Sequence, residues 1–418
     1  MLKTFIKKLH KIFESHFLLK TKKYPLIFYV IKWVFLTSLV GLGAGCASAI
    51  FLLSLEFVTQ FRENNSMIII FLPFIGFAIG LLYYRFGNNI AGGNNLLIET
   101  IQNPKERIPF KMAPMVYLGT IATHLFGGSA GREGTALQMS GSIADTLSKP
   151  FNLSKDDRRI LIISAIAAGF GSVFGTPFAG AIFALEVAMI GKIKYNAIFP
   201  ALLSAIIANY VTNLWNVDHT HYFIHSIPKI SLVSILHSIF AGVLFGIGAI
   251  LFCKLLQKTG AFFNSKISFA PLRPFFGGII ILLLTFILGS TKYLGLGVPL
   301  ISEAFIHSAS NYDFVLKIIF TVITLGSGFK GGEVTPLFFI GATLGSALSL
   351  YIPLPVSLLA GMGFVAVFAG ATNTPFACII MALELFGIEC AIYVTIACFV
   401  SYWVSGNSTI YSSQKREL

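Results

Sequence analysis

The sequence predicts an all-α, polytopic membrane protein made of two helical repeats, with broken helices meeting near the bilayer midplane. Three observations predict it. Hydrophobic residues make up 56% of the chain and charged ones 11%, and the mean hydropathy is +0.81, far outside the range of a soluble domain. Apolar runs of about 18 residues or more recur from Pro25 to Val404. Each can cross roughly 30 Å of hydrocarbon as a helix, and roughly ten to twelve spans fit. Three landmarks also recur in the same order in both halves, at shifts of 198, 200 and 204 residues.

The first segment, residues 1–32, holds eight lysines and one acid, Glu14. Lysines interrupt its apolar residues and no small-residue cleavage site follows, so a cleaved signal is not expected. Leu2, Phe5, Ile6, Leu9, Ile12 and Phe13 share a face, with Lys3, Lys7, Lys8 and Lys11 largely elsewhere, the pattern of a helix lying on a membrane surface. By the positive-inside rule this segment is cytoplasmic, as are the basic turn 155–159 and the stretch 254–273. Both termini are therefore expected in the cytoplasm, with the chain in the cell inner (plasma) membrane. These topological signals account for the net charge of +13, and no nucleic-acid partner is needed to explain it.

The repeats follow as 33–215 and 229–411, joined by an outer linker 216–228, with a tail 412–418. AAGFGSVFGTPFAGAIFALE at 167–186 matches VAVFAGATNTPFACIIMALE at 365–384 in ten of twenty positions. GREGT at 131–135 pairs with GGEVT at 331–335, and GNNLLIE at 93–99 with GVPLISE at 297–303. Transporters commonly use inverted repeats with the substrate site between them, so inversion is the expected arrangement, although the residues alone do not give its direction. The Gly and Pro in these segments would strand backbone groups in lipid, and such breaks survive only beside protein or a water-filled cavity.

Charges inside the repeats locate the candidate site, because ionisable groups at membrane depth are costly and functional by default. Glu133 follows the glycine-rich GGSAG and opens a helix whose free N–H groups and positive dipole end favour an anion. A tethered carboxylate is itself an anion. Ionised Glu133 would fill the site and block it, and protonated Glu133 would leave it, coupling protons to anion passage. The alternative is a structural ion pair with Arg132. Glu333, preceded by Lys330, is the counterpart in the second half and a second proton carrier, or else a carboxylate satisfied by Lys330 or by backbone amides. Thr135 and Thr335 offer hydroxyl donors. Asn94 and Asn95 offer amide donors but are equally ordinary as turn residues after two glycines.

From about Trp33 to Tyr411 the chain resembles the CLC family of anion channels and proton-coupled antiporters. GREGT stands where that family carries G(K/R)EGP, GGEVTP stands at its GxFxP motif, and GTPFAGAIFALE resembles the segment closing each repeat. GGNNLL in place of GSGIP, Thr135 in place of Pro, and Val334-Thr335-Pro336 resemble the fluoride-exporting branch. Tyr411 matches the pore tyrosine. The acid that many chloride/proton antiporters carry after the FxxE of the first repeat is here Val187, as in the fluoride branch. The resemblance thus implies a homodimer with a pore in each subunit, exchanging fluoride for protons. Its implied anion site comprises Asn94, Asn95, Gly131, Arg132, Gly134, Thr135, Val334, Thr335 and Tyr411, with Glu133 and Glu333 gating and carrying protons.

Within transport, the other readings are a chloride/proton antiporter and a passive anion channel of the same fold. An intramembrane enzyme would need a nucleophile with its base, or metal ligands, at membrane depth. No HExxH, GxSxG or paired Asp motif is present, and His124 reads as a packing or capping residue. No cofactor or metal is expected. HTHYFIH at 219–225 reads as a solvated outer loop, and Cys46, Cys253, Cys378, Cys390 and Cys398, without CxxC spacing, read as packing residues.

Overall fold

The computed structural model describes residues 25–104, 107–191 and 194–416. Most of the amphipathic segment expected at the N-terminus lies outside the described residues. Among them the chain forms sixteen α-helices. The first eight are α1 (Pro25–Asn64), α2 (Leu72–Phe86), α3 (Asn94–Gln102), α4 (Met112–Leu125), α5 (Glu133–Ser148), α6 (Lys155–Phe174), α7 (Pro177–Val187) and α8 (Ile198–Leu214). Their counterparts are α9 (Leu232–Lys266), α10 (Leu272–Leu288), α11 (Val298–Ala304), α12 (Asp313–Ser327), α13 (Val334–Leu348), α14 (Val356–Thr372), α15 (Pro375–Phe386) and α16 (Ala391–Ser405). Strands β1 (Met189–Ile190) and β2 (Lys415–Arg416) form one short parallel pair.

Among the described residues five stretches are long and apolar enough to span a bilayer: 26–64, 66–86, 195–214, 232–266 and 388–405. This is fewer than the ten to twelve full spans expected, because hydropathy cannot see helices that start or stop inside the apolar layer. Gly175 (φ 73°) and Asn373 (φ 56°), at equivalent positions, turn left-handed and end α6 and α14. Each is followed by a helix opening at a proline, Pro177 or Pro375, where the missing N–H costs nothing.

The repeats are inverted. One face of the molecule carries the β pair, and α5 ends there, where Arg107 donates to Ser148 Oγ at 2.7 Å. On the opposite face α13 ends, with the Ser308 and Ser349 hydroxyls 2.8 Å apart and Asn311 donating to Tyr351. Two reciprocal contacts tie the halves together. Gly131 N–H donates to Gly332 O at 2.6 Å and Gly332 N–H to Gly131 O at 2.8 Å. Glu186, closing α7, accepts from Phe376 N–H (3.2 Å) and Ala377 N–H (2.7 Å) at the start of α15. Glu384, in α15, accepts from Phe178 N–H (3.1 Å) and Ala179 N–H (2.7 Å) at the start of α7. Each carboxylate satisfies donors that a helix start leaves without intrahelical partners. This crossing explains why a glutamate ends both copies of the matched segment. Phe170 stacks on Phe183 of its own half at 4.5 Å and, across the halves, on Phe368 at 6.1 Å.

Candidate ion-translocation site

The N-termini of α5 and α13 meet at the Gly131–Gly332 bridge, and the site is built around that meeting. The loop leading into α5 is fixed by the opposite half: Ser129 N–H donates to Thr324 Oγ1 at 3.1 Å, and the Ser129 and Thr321 hydroxyls are 3.0 Å apart. Glu133 is fully buried. Its carboxylate was expected at the amides of its own helix, but it lies against the start of α13. It accepts from Thr335 N–H at 3.1 Å, from the Thr335 hydroxyl and from Arg132 N–H at 3.1 Å. A carboxylate held by three donors, two of them from the opposite helix start, is where a free anion would bind. Arg132 Nε stands 3.8 Å from Glu133 Oε1. Gly131 leaves room for the carboxylate, since a Cβ there would lie 2.7 Å from Glu133 Oε2.

Across the bridge, the start of α5 is open. A Cβ on Gly332 would lie 2.8 Å from Gly134 N and 3.2 Å from Glu133 N, so glycine alone leaves these amides accessible. A Cβ on Gly134 would meet Asn94 Nδ2 at 2.8 Å and Glu333 Oε2 at 3.6 Å, which brings Asn94 and Glu333 to one spot. Asn94 Oδ1, Glu333 Oε2 and Tyr411 OH are buried without a hydrogen-bond partner. Buried polar atoms left so point to something that binds there. Val334 is buried at the first position of α13.

Three expectations are corrected by this geometry. Thr135 does not present its hydroxyl to the site; it lies 2.7 Å from Thr120 Oγ1, joining α4 to α5. Asn95 does not share Asn94's position, because its Oδ1 accepts from Ser413 N–H at 3.1 Å. Lys330 does not neutralise Glu333 but sits over the Tyr83 ring, 4.0 Å from its centroid.

The 219–225 loop also differs from a fully solvated one. His221 and Phe223 are exposed, yet Tyr222 is buried and stacks on Phe305 at 5.1 Å, and His219 packs on Gly175. Arg132, Phe174, His219, Tyr222 and Thr335 enclose a cavity of about 20 Å³ beyond Glu133. Such a volume holds roughly one water-sized particle. The aromatic and histidine content of this loop was its only sequence signal. His124 is buried at the end of α4 with Nε2 3.4 Å from Gly131 O, in keeping with a packing residue. Among the described residues no cluster has the make-up of a metal site, and the five cysteines are unpaired.

On the face bearing the β pair, a vestibule of about 550 Å³ lies between α3 and residues 412–415. The site therefore sits between a wide mouth on one side and a tight closure on the other.

Inverted repeats with helix starts meeting at a buried, carboxylate-plugged centre define a secondary transporter or channel for anions. The chain belongs to the voltage-gated chloride channel (CLC) family, whose model matches residues 75–406, and that family is one of transport proteins. It is 50% identical to a chloride/fluoride channel protein of Pseudomonas syringae pv. tomato, covering 95% of this chain and 89% of that one. It is 27% identical to an H(+)/Cl(-) exchange transporter of Vibrio vulnificus, over 85% of this chain and 82% of that one. A crystal structure of a CLC-type fluoride/proton antiporter superposes with a TM-score of 0.90 at 35% identity, covering 93% of this chain and 98% of that one.

Proposed function

We propose that this protein exports fluoride from the cytoplasm in exchange for inward protons, with Glu133 as gate and proton carrier. The observation that carries the reading is that Glu133 occupies the donor set at the start of α13 as an anion would. Protonation removes the charge that holds it there, and an anion from the cytoplasm takes its place. Glu333, half-buried beside Gly134 and Asn94 with Oε2 buried and unpaired, receives the proton on the cytoplasmic side of the gate. Two acids on one route are what proton exchange needs and a passive channel does not.

Fluoride is favoured over chloride because the donors are hydroxyl, amide and backbone N–H groups, suited to a small, strongly hydrated anion, and because the closed cavity is about 20 Å³. The protein is multi-pass in the inner membrane. The face bearing the β pair is cytoplasmic, since Lys149, Lys155, Arg159, Lys266 and Arg273 cluster in its connections. A homodimer with one pore per subunit is the assembly the resemblance supports. Fluoride and protons are the transported partners.

The test is transport in liposomes containing the purified protein. Fluoride efflux should far exceed chloride efflux, and an opposing pH gradient should drive fluoride uphill. Downhill fluoride movement without proton flux would instead make the protein a channel, as the name of its Pseudomonas relative suggests.

A further inference from the structure

The coupled exchange leaves one passage unassigned, between half-buried Glu333 and the water of the vestibule. The acids nearest in sequence to Val187 do not serve it. Glu186 is held by Phe376 and Ala377 N–H. Val187 itself is buried and apolar. Asp145, also buried near that face, is locked by Arg158, whose Nε and Nη2 donate at 2.5 and 3.0 Å.

Glu99 is differently placed. It is the exposed residue of α3 that lines the vestibule, and α3 begins at Asn94, whose Nδ2 lies against Gly134, as Glu333 Oε2 does. Glu99 lies five helical positions after Asn94, a rise of about 7.5 Å. Asn95 and Glu99, four apart, share a face, and both are tied to Ser413: its N–H donates to Asn95 and its hydroxyl to Glu99 Oε1 at 2.5 Å. Two residues before Ser413 is Tyr411, whose buried hydroxyl lacks a partner. The segment carrying Tyr411 and the helix carrying Asn94 thus converge on one carboxylate at the mouth.

We infer that Glu99 is the proton port of the vestibule, taking the proton that leaves Glu333 and releasing it to the cytoplasm. This rests on the antiport reading above. The other charged group lining the vestibule is Lys415, on β2. Arg159, from α6, donates to Gln102 O at the end of α3 and holds a fixed charge. Gln102 is neutral and donates to Ala188 O and Ser413 O. Glu99 is therefore the vestibule's exchangeable acid, and Ser413 positions it.

Fluoride efflux and proton influx measured together in the same liposomes test the inference, for the wild type, Glu99→Gln, Glu99→Asp and Ser413→Ala. Glu99→Gln should lower proton flux about tenfold while fluoride still passes, so the coupling ratio collapses. Glu99→Asp should restore most of it. Ser413→Ala should fall between. An unchanged ratio in Glu99→Gln overturns the inference, and so does an equal loss of both fluxes, which would mark a purely structural role. The wild type separates the two failures: if it moves fluoride without protons, the antiport reading fails and Glu99 loses its role with it.

Discussion

Glu133 and Glu333 hold equivalent positions in the two halves yet end in opposite states. Glu133 is gripped by the helix start of the other half, whereas Glu333 has an oxygen with no partner. The neighbours explain the difference. Arg132 precedes the first glutamate and Gly332 the second, and the missing side chain of Gly332 opens the start of α5. Thr335 turns its hydroxyl to Glu133, while Thr135 turns its own to Thr120. Inverted symmetry thus supplies two crossed helix starts, and departures from it leave one plugged by a carboxylate and the other open. In the proposed exchange, one motif gives both a gate and a receiving site.

The most severe way to break this asymmetry is to remove the charge that plugs α13. Glu133→Gln cannot exchange a proton, so proton flux should fall about 100-fold or more, with a fluoride leak remaining in liposomes monitored by fluoride electrode and pH together. A variant that still pumps fluoride uphill would remove Glu133 from the proton route. Glu333→Gln should be milder, about tenfold on proton flux, because Glu133 still collects protons from the other side. Equal effects of the two substitutions would argue that the halves work alike.

Much of this contrast was legible in the chain. The GREGT and GGEVT pair and the shift of about 200 residues marked two equivalent helix starts, each with a glutamate. Which helix each acid addresses was not legible, because Glu133 and Glu186 both serve donors roughly 190 to 200 residues away. Local sequence describes a residue's own helix and is silent on its partner. For the same reason Thr135 looked like an anion ligand and is a packing contact. Span counting failed where helices begin inside the apolar layer, since hydropathy averages over the break. The buried Tyr222 had no periodic pattern to announce it.

The vacant side can be sharpened with a single methyl group. Gly134→Ala would place a carbon 2.8 Å from Asn94 Nδ2, displacing the amide and lowering fluoride turnover about tenfold. Unchanged turnover and fluoride binding by calorimetry would move the ion elsewhere. The threonines come next. Thr335→Val should shift fluoride-over-chloride selectivity about fivefold, one lost hydrogen bond's worth. Thr135→Val should leave selectivity alone and cost about 1 kcal/mol of stability, read by thermal unfolding in detergent. Selectivity that follows Thr135 would undo the geometric distinction between the two.

The smallest effect concerns the closure above the plugged side. His219 lies in the connection between α8 and α9, and packing against Gly175 strips water from its ring and lowers its pKa to about 4. It carries charge only below that value, so across about pH 5.5 to 7.5 it is neutral. A pH dependence of transport in that range is then not set by the charge of His219, even though the histidine lines the cavity next to Arg132 and Thr335. His219→Gln keeps a neutral polar side chain there and should change the fluoride rate no more than about twofold while leaving the midpoint of the pH profile in place. A midpoint that moves with the substitution would make His219 the entry point for protons and reduce Glu133 to a gate supplied through it. A profile that holds leaves the carboxylate plugging α13 in direct exchange with the far-side water.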